Sequence, residues 1–109
     1  MVNELEISVI LVTYNRITYL PRSLESILSQ SFSDFELVLV DNGSSDGTAE
    51  LCWQYAKKDN RIKLINIPQN SGAPRGRNAG LNAASCRYVT IVDDDDFCEQ
   101  GMLDHLWRL

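Results

Sequence analysis

A chain of 109 residues with 44% hydrophobic content is long enough for one domain with a core of its own and too apolar to stay disordered. Fifteen acidic against ten basic residues give a formal charge of −5, and no tract is rich in Lys or Arg, so nucleic acid is not an expected partner. The three cysteines, Cys52, Cys86 and Cys98, form no CxxC pair and have no clustered histidines, which argues against a disulfide framework and a zinc site and leaves them as reduced packing residues.

Taken in order, Ile7 to Val12 is almost wholly apolar and rich in β-branched residues, which suits a strand covered on both faces. Thr13-Tyr14-Asn15-Arg16 breaks that run with polar groups. From about Thr18 to Gln30, Leu20, Leu24, Ile27 and Leu28 recur at helical spacing, with Pro21 in the first turn, where its missing N–H matters little. Phe35 to Val40 repeats the strand pattern and runs into Asp41 to Thr48, a loop dense in turn formers and helix N-cap residues. The helix that follows extends to Lys57 or Lys58, with Ala49, Cys52, Tyr55 and Ala56 on one face and lysines at its C-terminal end, where the helix dipole favours them.

Ile62 to Ile67 is a third strand, alternating enough to lie near an edge and closed by Pro68. Asn70 to Gly76 is expected as a flexible loop, and Arg77 to Ala84 as a helix whose Ala79, Gly80, Ala83 and Ala84 permit close approach to a sheet. Tyr88 to Val92 is expected as a buried fourth strand ending in Asp93-Asp94-Asp95-Asp96. Met102, Leu103, Leu106 and Trp107 suggest a short final helix. Four rounds of strand and helix imply a three-layer α/β/α fold with a mostly parallel, doubly wound sheet and right-handed crossovers. Its polar segments Thr13–Arg16, Asp41–Asp46 and Asp93–Asp96 then gather at one sheet edge, where open α/β folds bind ligands.

No N-terminal stretch has the charged and apolar regions of a secretory signal, and no apolar run approaches the ~20 residues that span a bilayer. The expectation is a cytoplasmic protein without a transmembrane segment, associated with a membrane only through regions outside this chain.

Four adjacent carboxylates with no neighbouring Lys or Arg in sequence call for a cation, and their oxygen donors favour a hard divalent ion; the plain alternative is a solvated acidic turn. A dinucleotide fold would need GxGxxG after the first strand, and Thr13 to Thr18 contains no glycine. A P-loop is absent for the same reason. An EF-hand is disfavoured because Gly43 and Ser45 fall at ligating positions. What remains is a site for an anionic nucleotide held through a metal. There Tyr14 could stack on a base and Asp41 could accept from a ring N–H, against the alternatives of a rim aromatic and a turn acid.

As a set, Ile7 to Arg16, Ser29-Gln30-Ser31-Phe32, Phe35 to Thr48, Arg77-Asn78-Ala79-Gly80 and Val92 to Asp96 resemble family 2 glycosyltransferases of the GT-A fold, in order and spacing, over essentially the whole chain. The resemblance implies inverting transfer of a sugar from a nucleotide-diphosphate donor, most often a UDP-sugar, to a carbohydrate or lipid-linked acceptor, as in cell-envelope polysaccharide synthesis. It implies that Thr13, Tyr14 and Asp41 line the nucleoside pocket with Asn15 and Arg16 beside them, and that Arg77, with Arg75 as a rival, supports the phosphates. It further implies that Asp93 faces the ribose and that Asp95, with Asp93, meets a Mn2+ or Mg2+ ion, Asp94 and Asp96 being able to substitute. Asn42 stands where the family more often has a second Asp.

The family's catalytic base and acceptor site lie well downstream of the acids. Residues 1–109 are therefore expected to be a single nucleotide-sugar-binding domain whose base lies beyond Leu109. Neither Asp104 nor His105 is marked as that base by its spacing. A noncatalytic nucleotide- or metal-binding module and a receiver-like phosphoacceptor domain are the alternatives, and the oligomeric state, a homodimer included, is left open.

Overall fold

The most apolar stretches of the chain become the central strands. In the computed structural model, which describes residues 6–70, 72–94 and 101–103, the elements are β1 (Ile7–Thr13), α1 (Leu20–Leu28), β2 (Phe35–Asn42), α2 (Thr48–Lys58), β3 (Ile62–Ile67), α3 (Ala73–Ala83) and β4 (Tyr88–Asp93). They build one sheet in the order β3-β2-β1-β4, with every pairing parallel. Nearly every residue of β1 and β2 is buried, as two-sided coverage requires.

Side chains alternate along each strand, so the sheet has two apolar faces. Val9, Leu11, Leu37 and Leu39 pack under Leu20, Leu24 and Ile27 of α1 and Cys52 of α2. On the opposite face, Ile10, Val38 and Val40 lie against Ala79, Ala83 and Ala84. The first two crossovers step one way across the sheet and share a face. The third reverses direction and takes the other face, as a single hand of crossover demands. The three-layer α/β/α architecture read from the sequence is the one observed, and its direction reverses between β1 and β4, the position at which such sheets open a ligand crevice.

Two boundaries differ from the sequence reading. Helix α1 is tighter than 18–30, and α3 begins at Ala73 rather than at Arg77, which shortens the expected loop over 70–76. Pro74 is the reason: it occupies the first turn of α3, where no N–H is needed, and so starts the helix instead of breaking it. The fourth strand is corrected too. It is an outer strand, with Val92 buried but Val89 44% and Ile91 46% exposed, because α3 lies over β1 and β2. An apolar run identifies a strand without saying what lies beside it.

The small-residue stripe of α3 does what its composition suggests. A Cβ placed on Gly80 would stand 2.6 Å from Ile10 Cγ2, and one on Gly76 would stand 2.7 Å from Val12 Cγ1. Gly80→Ala is expected to destabilise the fold by about 1–3 kcal/mol through overpacking, despite its better helix propensity, as read by urea denaturation.

At the opposite end of the sheet from the acids, Glu36 is 6% exposed. Its carboxylate accepts hydrogen bonds from Ser8 Oγ (2.6 Å), Ser85 N–H (2.7 Å) and Ser85 Oγ (3.0 Å), and Lys63 Nζ stands 3.3 Å away. Ser8 Oγ also accepts the Cys86 N–H, so the turn before β4 is tied to β1 and β2. Burial pushes this carboxyl up, but the Ser8 and Ser85 hydrogen bonds and the Lys63 charge outweigh burial and hold it below its ordinary value of 4.5. A depressed folded value means that the stabilisation is complete above the ordinary value and is lost as pH falls from there through the folded one. Glu36→Gln is expected to lower stability near neutral pH by about 2 kcal/mol and to flatten the acid limb of the stability–pH curve, measured by denaturation across that range.

Candidate functional site

The strand register assembles the site. Thr13 pairs with Asp41 across β1 and β2, and Asp93 pairs with Val12 across β1 and β4, so all three meet at the carboxyl edge of the sheet. Thr13 is 1% and Asp41 3% exposed, yet Thr13 Oγ1 and Asp41 Oδ1 are buried with no hydrogen-bond partner. A buried oxygen left unpaired costs about 1–3 kcal/mol. Two of them stand at paired positions of the carboxyl edge, where buried polar groups ordinarily have partners. Cys52 lies under the same edge; burial, then the Asp41 charge, pushes its thiol up to about 12. It is a protonated packing residue, and both cysteines among the described residues, Cys52 and Cys86, are free.

Two loops frame the edge and are laced together. Asn15, in the left-handed region at φ 51°, accepts the Ser45 N–H on Oδ1 (2.8 Å) and donates its own N–H to Ser44 Oγ (2.9 Å). The Arg16 N–H donates to Thr48 Oγ1 and the Ile17 N–H to Asp46. Asp46 in turn accepts the Thr48 N–H and hydroxyl at the start of α2, and the Thr48 hydroxyl above all holds its carboxyl below the usual range. The amide of Asn42 donates to the Gly72 carbonyl at 3.0 Å, fixing the approach to α3. Gly43, at φ +81°, has no alternative, since a Cβ there would meet Asn70 N at 2.3 Å. The sequence reading placed Ser44, Asp46 and Thr48 in a loop of turn formers and helix N-cap residues but did not foresee their bonds to Asn15, Arg16 and Ile17.

Tyr14 is 43% exposed at the rim. Arg16 places Nε 3.6 Å from Asp94 Oδ1, so the acids are partly compensated by a cation far away in sequence, which the sequence reading did not foresee. Asp93 is exposed and Asp94 half-buried, with the Asp94 carbonyl accepting Ser23 Oγ at 2.9 Å. Arg75 and Arg77 are exposed on either side of Gly76, which itself lies against Val12 and Asn42. The first turns of α3 therefore stand over the strand ends. Asp95, Asp96, Cys98, Asp104 and His105 lie outside the described residues.

Among the described residues no three His, Cys, Asp or Glu side chains form a metal cluster. Asp93 and Asp94 offer two oxygen donors at one strand end. That set suits a hard ion such as Mg2+ or Mn2+, which commonly takes one or two protein carboxylates and completes its shell with phosphate and water.

The family model described as Glycosyl transferase family 2 matches residues 8–109. This chain belongs to glycosyl transferase family 2. Among its relatives, the glycosyltransferase GlyG of Streptococcus pneumoniae is 36% identical over 94% of this chain and 34% of its own length. The putative teichuronic acid biosynthesis glycosyltransferase TuaG of Bacillus subtilis is 39% identical over 90% of this chain and 39% of its own. The family chain thus spans well under half the length of these relatives. Among solved structures, S. aureus TarS 1–349 in complex with UDP-GlcNAc superposes with a TM-score of 0.87 at 34% identity, covering 94% of this chain and 30% of that one. The mannosyltransferase PcManGT from Pyrobaculum calidifontis, in complex with GDP-Man and Mn2+, gives 0.77 at 27% identity over 85% of this chain and 28% of that one. The fold is that of GT-A glycosyltransferase domains.

If the Thr13 hydroxyl is an unfilled valence, Thr13→Val replaces an unpaired buried oxygen by a methyl group of similar size. It is expected to leave stability unchanged or raise it by about 1 kcal/mol. A loss of stability in thermal denaturation would show that the hydroxyl is paired within the protein.

Proposed function

We propose that residues 1–109 form the nucleotide-sugar-binding domain of an inverting, metal-assisted glycosyltransferase that transfers a sugar from a UDP-sugar to the hydroxyl of a carbohydrate or lipid-linked acceptor. The observation that carries this reading is the pair of buried, unpartnered oxygens, Thr13 Oγ1 and Asp41 Oδ1, at the carboxyl edge, one strand away from Asp93. In this reading Asp41 accepts a ring N–H of the base, Thr13 bonds to the nucleoside, and exposed Tyr14 stacks on it. Asn15 shapes the loop that presents Tyr14. Asp93 receives the ribose.

Asp94 and Asp93, with Asp95 by position, hold Mn2+ or Mg2+, while Arg16 beside Asp94 and Arg77 on α3 bring positive charge to the diphosphate. When bound, the ion stabilises the negative charge that develops on the departing β-phosphate. The base that deprotonates the acceptor is assigned to none of the described carboxylates at this edge: Asp41, Asp93 and Asp94 serve the donor in this reading, and Asp46 is engaged by Ile17 and Thr48. Likeness to TarS bound to UDP-GlcNAc supports uracil over guanine, and likeness to a Mn2+ complex supports the ion. No helix among the described residues is long and apolar enough to cross a membrane.

Calorimetric titration with UDP and with GDP, each with and without Mn2+, tests the proposal. The expected result is UDP binding that Mn2+ tightens and that Asp41→Ala weakens by about tenfold or more, the loss of one charge-assisted hydrogen bond. Tighter binding of GDP would reassign the base, and failure to bind either nucleotide would overturn the donor-site reading.

A further inference from the structure

Three polar side chains interrupt the apolar side of α1 and its C-terminal end. Ser23, Ser26 and Gln30 are 1%, 4% and 6% exposed, on the flank that also carries Leu20, Leu24 and Ile27. Buried polar groups of this kind must find partners, and they find them in a chain of contacts. Ser26 Oγ donates to the Ser23 carbonyl at 2.8 Å, and Gln30 Nε2 donates to the Ser26 carbonyl at 2.9 Å. The two ends of the chain reach past β4. Ser23 Oγ donates to the Asp94 carbonyl at 2.9 Å, and Gln30 Oε1 accepts the N–H of Leu103 at 3.0 Å.

The stripe therefore grips the backbone at Asp94, the first residue after β4, and again at the buried Leu103. Both grips are on main-chain groups, so they define where the backbone runs at those two residues. A satisfied buried polar network rigidifies and specifies one arrangement. A metal site needs such rigidity, because its carboxylates must be held to about half an ångström. The nucleoside contacts need nothing from the stripe, since Thr13 and Asp41 are set by the pairing of β1 with β2.

We propose that Ser23 and Gln30 are positioning residues for the acids at the end of β4: Ser23 holds the carbonyl of Asp94 itself and Gln30 holds the chain further on at Leu103, and together they set the metal-dependent part of donor binding separately from the nucleoside part. This inference rests on the donor-site reading above. Its test compares UDP affinity in EDTA with UDP affinity in Mn2+, in the full-length protein, for wild type, Ser23→Ala and Gln30→Met.

The ratio of the two dissociation constants is expected to fall about tenfold in each variant, the scale on which outer-shell partners act on metal affinity, while affinity in EDTA is unchanged. An equal loss with and without metal would make the stripe a general structural element and overturn the inference. So would an unchanged ratio in folded variants, or failure of both variants to fold. A wild-type protein that binds UDP no better with Mn2+ would overturn the metal part of the donor reading and this inference with it, whereas a metal-responsive wild type with unaffected variants would overturn this inference alone.

Discussion

The parallel pairing of β1 with β2 is the constraint on which the rest of the molecule depends. With Thr13 opposite Asp41, the odd-numbered residues of both strands face α1 and α2, and their last members bring two buried oxygens together at the carboxyl edge. A slip of one residue would turn every side chain of a strand to the other face. Val12 would then take the place of Thr13, and the apolar faces that seat the helices would be lost with it. Core and site are therefore specified by the same register, and the site cannot be displaced without unmaking the core.

Around that edge the backbone is shaped by polar side chains bonded to main-chain groups. Loops at strand ends carry N–H and C=O groups that the sheet no longer pairs, and here Asn15, Ser44, Asp46 and Thr48 take them up in a mutual lacing. Gly43 allows the chain following β3 to pass at a distance that no side chain would tolerate. Several residues that look like ligand groups by type thus have structural work, and the proposed donor site draws on Thr13, Tyr14 and Asp41 from the first two strand ends.

The acids arrive by a separate route. Strand β4 sits on the far side of β1, anchored at its start by the Glu36–Ser8–Ser85 contacts and at its end by Ser23 on α1. The donor site of the proposed enzyme is therefore made from two independently held parts, a nucleoside wall from β1 and β2 and an acidic wall from β4, meeting where the sheet reverses direction. Switch points of this kind recur as binding crevices because helices leave the adjacent strand ends toward opposite faces and open a gap between them.

The amino-acid sequence by itself determined the alternation of strand and helix, the parallel character of the sheet, the membership of a glycosyltransferase family and the residues that gather at one edge. Each of these is written in local pattern: β-branched runs, helical spacing of leucines, turn formers and motifs in order. Tertiary structure alone decided which polar residues are spent on holding the fold. Ser23 inside an apolar stripe, Asn15 against Ser45, Arg16 beside Asp94 and the unpaired oxygens of Thr13 and Asp41 are all relations between residues distant in sequence. The seating of α3 over β1 and β2 likewise decided the exposure of β4, whose composition resembles that of a buried strand. Local propensity records what a residue prefers, whereas a partner on another element determines whether that preference is met, and only the folded chain brings the partners together.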